Sequence, residues 1–324
     1  MPVKASRVKK NIYKLLLSSL FIIALCVFAV FLISCGCSFF TADNGVYAAE
    51  TVETADDYAD IVPAGKAELL FGNEALPDKD AYVITIYGDG FMAHQQDKFF
   101  EAARNSVEYF IKEKPFDELA SIIKIYAIGV VSNTDRIQGA NGDDYTEITD
   151  TYFHTRFGVN WIDRLMACNS EGSARLTKLQ NVFCPYSDQA LILSNSEKYG
   201  GGGGGIAVIS LSSSAIKVFV HEFGHSAAKL GDEYWEDGYA YECANKTKES
   251  DPEKVRWKRF IGLNGIGVYK FKDQIVTNEV PQYYKPSEIC MMYAIAQPFC
   301  EVCKEELRKW LCRKSNVTML FFQK

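Results

Sequence analysis

The chain has 324 residues, of which 48% are hydrophobic and 23% are charged. This composition excludes a disordered or fibrous chain, and the length suits one large catalytic domain or two small ones. The formal net charge is −6, and it becomes −11 without five basic residues near the N-terminus, because 30 basic and 41 acidic residues remain. The acidic excess disfavours a nucleic acid or an anionic membrane surface as a partner.

The N-terminal segment, residues 1–35, has the pattern of an export signal. Its basic residues precede an uncharged apolar run, residues 15–34, which ends at Cys35. A small residue directly before a cysteine resembles the bacterial lipobox, so we predict a lipid anchor on Cys35 at the cell surface. The alternatives are an uncleaved membrane anchor and a secreted form cleaved after Ala48 or Ala49. All three place the protein outside the cytoplasm. Residues 36–62 are rich in Ala, Thr, Asp and Gly and have no apolar periodicity, so we predict that they form a tether.

From residue 63 onward, short apolar runs alternate with segments of helical periodicity. Apolar residues in segment 99–111 recur every three to four positions, and Pro115 ends this helix. The composition of residues 138–181 is mixed, so we predict loops with one short helix in this segment. The predicted elements are strands at 82–87, 122–131, 190–194 and 206–211, with helices at 99–111 and 161–166, after residue 214, and at 298–311.

Six consecutive glycines, residues 200–205, follow Tyr199. One interpretation is a flexible low-complexity loop. The other is that a backbone without side chains can approach a ligand closely. The position before the histidine-bearing helix favours the second interpretation, so we predict a substrate rim at Gly203, Gly204 and Gly205. An extended substrate would pair along 206–211 as an edge strand.

The helix after the glycines carries the chemistry. Serines 212–214 can cap it, and its apolar residues form one stripe. His221 and His225 lie about 40° apart on another face, so both imidazoles can reach one tetrahedral zinc ion. Glu222 lies to the side of the pair. The pattern His-Glu-x-x-His predicts one catalytic Zn²⁺ with Glu222 as general base, and the alternative is an incidental pair of surface histidines.

Two histidines do not complete a catalytic zinc site, so a third protein ligand is needed. Asp232 and Glu233 are the nearest candidates, and a more distant segment is the alternative. On a straight helix Asp232 would lie about 10 Å further along the axis. Gly231 can adopt a left-handed conformation and turn the chain back. We therefore predict Asp232 as the third metal ligand, in preference to Glu233.

Several segments resemble a known family. Residues 221–234 are similar to the signature of the IgA-peptidase family of zinc metallopeptidases, and residues 290–293 and 299–303 are similar to other parts of it. The resemblance implies an α+β, zincin or metzincin-like fold, with a mixed twisted sheet and an active-site helix in 63–231. It further implies an irregular C-terminal subdomain, 232–324, with a methionine turn at Met292 or Met291. Ala228 and Gly231 depart from the metzincin pattern, in which a glycine and the third ligand stand at these positions.

The motif and the resemblance together predict an exported zinc metalloendopeptidase that hydrolyses peptide bonds of extracellular proteins. Tyr234 and Tyr293 are candidate donors to the oxyanion. A cell-wall peptide amidase and a non-catalytic surface-binding protein on a zinc fold are the alternatives.

Seven of the ten cysteines follow the export region. Outside the cytoplasm we expect some of them to form disulfides. A structural zinc cluster is the alternative for Cys290, Cys300, Cys303 and Cys312. The two other histidines, His94 and His154, are predicted to be structural.

Overall fold

The computed structural model of the protein describes residues 53–142, 145–235 and 240–315. The predicted export segment and the tether up to residue 52 lie outside the described residues. Tyr58 and Val62, at the end of the predicted tether, are buried. None of the described helices is both long enough and apolar enough to cross a membrane. The subdomain boundary between residues 231 and 232 stays a prediction.

Six strands of the described residues form a mixed sheet. They are β1 (Glu68–Phe71), β2 (Tyr82–Asp89), β3 (Ile123–Ile128), β4 (Gln189–Ser194), β5 (Gly201–Gly202) and β6 (Ala207–Ser210). Their order is β1-β3-β2-β4-β6-β5, with a parallel centre and an antiparallel strand at each edge. The four central strands confirm the four predicted ones, because each was marked by a run of apolar residues.

The prediction that residues 206–211 form an edge strand is wrong. β6 pairs with β4 on one side and with β5 on the other. The glycine run folds back closely enough to pair because it has no side chains. A Cβ on Gly202 would lie only 2.4 Å from the carbonyl oxygen of Met166. Part of the glycine run is therefore a strand, which argues against the alternative of a flexible loop, and a substrate cannot pair along β6.

The described residues contain four α-helices: α1 (Gln96–Phe110), α2 (Ser170–Phe183), α3 (Ala215–Ala228) and α4 (Glu301–Lys314). Three of them, α1, α3 and α4, confirm predicted helices. The short helix predicted at 161–166 is wrong, since that segment holds only the end of a 3-10 turn, Val159–Trp161. The sequence does not predict α2, because few residues of this helix are buried and its apolar stripe is thin.

The sheet separates two apolar cores. Successive side chains of a strand point to opposite faces. Ile84 and Ile86 of β2 pack in one core with α1, α3 and α4, whereas Tyr87 packs in the other core with α2. This arrangement confirms the α+β class with a mixed sheet, and it is compatible with a peptidase fold.

Beyond α3 the described chain is mostly irregular. It contains one antiparallel pair, β7 (Tyr269–Lys270) with β8 (Tyr284–Lys285), and then α4. Because α4 packs against α3, the segment just before α4 is held close to the histidine-bearing helix.

Candidate metal centre

The apolar side of α3 anchors the helix that carries the predicted catalytic residues. The buried ring of Phe223 packs edge-on against the rings of Tyr82 and Phe116. On another side, the ring centroids of His221 and His225 are 4.8 Å apart. The packing of the apolar side therefore fixes the direction in which both imidazoles point.

Three potential ligand atoms converge beside α3. The Nε2 atoms of His221 and His225 are 3.2 Å apart. Asp232 Oδ1 lies 3.2 Å from each of them. A tetrahedral zinc ion with ligand bonds of about 2.0–2.1 Å separates its ligand atoms by about 3.3 Å. The three atoms have the spacing that a zinc ion requires.

Hydrogen bonds from the Nδ1 atoms of the two imidazoles leave both Nε2 atoms directed at the point where the three ligand atoms converge. The Nδ1–H of His221 donates to the Met291 carbonyl oxygen at 3.0 Å, and that of His225 donates to the Leu230 carbonyl oxygen at 2.7 Å. Each Nε2 then directs a lone pair at the centre. Asp232 Oδ1 is buried and accepts no hydrogen bond from the part of the chain that the structure describes. Because three electron pairs that face one another repel, the arrangement fits a bound cation.

Protons compete with a cation for this centre. Burial lowers the pKa of His225, but the adjacent Asp232 carboxylate outweighs burial, and the pKa is raised. Burial raises the pKa of Asp232, but the two imidazoles outweigh it and hold the pKa well below its usual range. Asp232 therefore stays ionised and available to a cation over the physiological pH range.

The chain turns back after α3 at a residue other than the predicted one. Lys229 adopts the left-handed conformation, with φ 55° and ψ 35°, and Gly231 does not have a positive φ. The expectation for Gly231 is wrong because α3 ends earlier, at Ala228, and the buried Leu230 directly follows the left-handed Lys229. Gly231 is held by Asn245, whose amide bonds its N–H and its carbonyl oxygen, each at 2.8 Å.

Glu222 lies beside the three converging atoms and against the glycine segment. Burial raises the pKa of its carboxyl group, and the two histidines lower it only in part. A Cβ on Gly203 would lie 1.7 Å from Glu222 Oε2, so the carboxylate fits there only beside a glycine. Gly203, Gly204 and Gly205 are exposed, and a Cβ on either of the last two would meet no atom within 4 Å. The predicted rim therefore lies next to Glu222.

Glu233, the other candidate for the third ligand, belongs to a different group of side chains. It is fully buried, and burial raises its pKa to about 8. Its Oε1 accepts a hydrogen bond from Asn245 Nδ2 at 3.0 Å and lies 3.4 Å from Cys303 Sγ. Of the two neighbouring acids, only Asp232 joins the histidines.

The segment 290–293 lies beneath α3. Met292 is fully buried, and a Cβ on Gly224 would lie 2.8 Å from its Sδ. The Met292 carbonyl oxygen accepts a hydrogen bond from the Glu233 N–H at 2.8 Å. Together with the bond from His221 to Met291, this contact ties the segment to both sides of the centre. The sequence does not predict these contacts, because any residue has a backbone carbonyl group that can accept a hydrogen bond. It does not predict the role of Asn245 either, because Asn245 lies outside every recognised motif.

The other predicted site residues lie at the margin. Tyr234 and Tyr293 are exposed and line one small pocket. His94 lies in an exposed 3-10 turn, and His154 lies beside a glutamate of α2. Neither histidine belongs to the group formed by His221, His225 and Asp232.

All seven described cysteines are free thiols, so the expected disulfides are not formed in the described part of the chain. Cys290 Sγ and Cys303 Sγ are 3.7 Å apart, whereas a disulfide bond measures about 2.05 Å. The two thiols are neighbours without being bonded.

Comparison with known proteins gives one family match. The model of the family described as IgA Peptidase M64 matches residues 73–262, more than half of the chain. The matched region includes the two histidines, Glu222 and Asp232, and it ends before Cys290. Comparison with curated proteins gives no match. The chain therefore belongs to the IgA Peptidase M64 family of metallopeptidases.

Proposed function

We propose that the protein is a zinc-dependent metalloendopeptidase that hydrolyses peptide bonds of extracytoplasmic proteins. The observation that carries the proposal is the mutual 3.2 Å spacing of two imidazole nitrogens and one carboxylate oxygen. His221, His225 and Asp232 would hold the ion. When bound, a zinc ion supplies Lewis acidity that polarises the peptide carbonyl group and lowers the pKa of water.

Glu222 would move the proton during hydrolysis. Its carboxylate accepts a proton from the attacking water and then delivers it to the nitrogen of the leaving amine. A carboxyl group with a raised pKa suits both steps, because proton transfer is most effective when the pKa lies near the working pH.

The substrate would lie across the exposed rim at Gly203, Gly204 and Gly205. Gly203 lies next to Glu222, and a Cβ on Gly204 or Gly205 would meet no atom of the described residues within 4 Å, so the backbone of these two glycines is open to a substrate. Since β6 is paired on both sides, this rim replaces β6 as the proposed site of backbone pairing.

Two further assignments belong to the same proposal. Met292 would form the methionine turn, and the position of its sulfur, 2.8 Å from where a Cβ on Gly224 would lie, supports that role. Tyr234 or Tyr293 would donate to the oxyanion, and replacing each with phenylalanine tests this assignment. Unchanged turnover in both variants would remove it.

The proposed cellular location rests on the N-terminal sequence alone. An export signal and a lipid anchor on Cys35 would place the peptidase at the outer surface of the cell, where its substrates would be extracellular proteins or peptides. Metabolic labelling with a fatty acid, compared between the wild type and Cys35→Ser, tests the anchor. Equal labelling would argue for an uncleaved anchor or a secreted form.

The test of the activity is the Glu222→Gln variant. We expect turnover of a mixture of secreted proteins to fall by about 10²–10⁴-fold, while the zinc content stays that of the wild type. Glu108→Gln, on the exposed side of α1, is the matched control and keeps wild-type turnover. Cleavage products are identified by mass spectrometry with and without a chelator. Release of fragments only from purified cell wall would favour the amidase, and cleavage that survives Glu222→Gln would overturn the proposal.

A further inference from the structure

A second group of potential metal ligands lies outside the histidine centre. It consists of Glu233, Cys290, Cys300 and Cys303, whose ligand atoms all lie within 4.8 Å of one another. All four residues are buried. None of them belongs to the centre formed by His221, His225 and Asp232.

Two distances in this group match those of a zinc site, and the remaining ones are at most 4.8 Å. Cys290 Sγ lies 3.7 Å from Cys303 Sγ, and Cys303 Sγ lies 3.4 Å from Glu233 Oε1. Bond lengths of about 2.3 Å to sulfur and about 2.0 Å to oxygen give tetrahedral separations of about 3.8 Å and about 3.5 Å. We propose that Glu233, Cys290, Cys300 and Cys303 hold a second, structural zinc ion.

The buried carboxylate distinguishes this site from a pair of bridged cysteines. Glu233 Oε2 is buried and has no hydrogen-bond partner among the described residues, which is costly for a carboxylate in an apolar environment. A disulfide between two of the three cysteines would leave that oxygen and the third thiol unmatched. A divalent cation would bind all three sulfurs and the carboxylate together.

The surroundings supply positive charge and orienting hydrogen bonds. The buried Lys285 donates to the backbone oxygen of Glu233 at 2.9 Å, and the Asn245 amide holds the Glu233 carboxylate. Cys300 is the N-cap of α4, where the helix dipole favours a thiolate. The backbone N–H of Cys300 donates to Cys290 Sγ at 3.4 Å. These contacts reduce, without cancelling, the excess negative charge that three thiolates and one carboxylate would leave around a zinc ion.

The second ion would stabilise the geometry of the first centre. Glu233 directly follows Asp232, and Cys290 directly precedes Met291, whose carbonyl oxygen orients His221. The Glu233 N–H also bonds the Met292 carbonyl oxygen. The proposed ion therefore clamps together the segment that delivers Asp232, the segment beneath α3, and the start of α4.

The test is the metal content and zinc X-ray absorption of the purified full-length protein. We expect two zinc ions in the wild type and one in the His221→Ala/His225→Ala variant. The remaining ion should show zinc–sulfur distances of about 2.3 Å. Cys303→Ser should lose the sulfur-rich ion. Cys312→Ser is the matched control, because Cys312 also lies buried on α4 but outside the group, and it should keep both ions.

Since Cys303→Ser risks misfolding, a second measurement uses the wild type alone. The protein is denatured with a chelator and an alkylating agent but without a reductant, and the cysteine peptides are identified by mass spectrometry. Alkylation of Cys290, Cys300 and Cys303 is expected. A disulfide between any two of them would overturn the proposal, and so would a double-histidine variant without sulfur-bound zinc. Loss of peptidase activity with the sulfur-bound zinc retained would count against the proposed function only.

Discussion

Replacing Gly203 with alanine tests the placement of Glu222 against the glycine rim. The added Cβ would lie 1.7 Å from Glu222 Oε2, and real Cβ atoms stay beyond 3.0 Å, so the carboxylate must move by at least about 1.3 Å. A misplacement of about 1 Å in a catalytic group costs on the order of 10²-fold in rate. We therefore expect kcat to fall about 10²-fold, which corresponds to about 2.7 kcal/mol of activation free energy.

The assay compares kcat, zinc content and melting temperature in Gly203→Ala and Gly205→Ala. Gly205→Ala is the matched control for the displacement of Glu222, because an added Cβ there meets no atom of the described residues within 4 Å and the φ of Gly205 is not positive. Gly205 belongs to the proposed rim, so the effect of this variant on substrate contact is measured as a change in KM, and kcat is the quantity compared between the two variants. The end of the Glu222 side chain is flexible, so Gly203→Ala should fold and bind zinc like the wild type. Equal kcat in the two variants would refute the placement of Glu222. A loss of zinc would show that the substitution damages the metal ligands instead.

Two further predictions concern the end of α3 and the protonation of the centre. Lys229→Gly should raise the free energy of unfolding by about 1 kcal/mol, since glycine tolerates the left-handed conformation. Lys217→Gly, inside α3, should lower the free energy of unfolding by a similar amount. Denaturant unfolding that ranks the two variants in the opposite order would contradict this prediction. Zinc retention should fall as the pH drops through the raised pKa of His225. In the metal-free protein the pH dependence of stability is opposite. The pKa of His225 is higher in the folded than in the unfolded protein, so its protonation stabilises the fold below the unfolded-state pKa, and this stabilisation is lost as the pH rises through the folded-state pKa. Equilibrium dialysis measures zinc retention from pH 5 to 9, and melting curves measure the stability of the metal-free protein over the same range. If zinc retention and the stability of the metal-free protein change with pH in the same direction, the ligand role of His225 is contradicted.

The predictions from sequence succeed where a local period is strong. The apolar runs of β2, β3, β4 and β6 and the apolar stripe of α1 each mark an element that forms as expected. The predictions from sequence fail where contacts between distant segments determine the secondary structure. α2 has too few buried residues to produce a period, and β5 consists of glycines that carry no strand signal. The wrong assignment of β6 as an edge follows directly from the missed β5.

The spacing of the two histidines and Glu222 is a local property, because any helix places residues four positions apart on one face. The amino-acid sequence by itself therefore determines that both imidazoles and a carboxylate lie together. Which acid joins them depends on contacts between distant segments. The left-handed Lys229, the Asn245 amide and the Met292 carbonyl oxygen direct Asp232 to the histidines and Glu233 to the cysteines. Only the tertiary structure decides that division, because neighbouring residues of the same charge have no local signal that separates them.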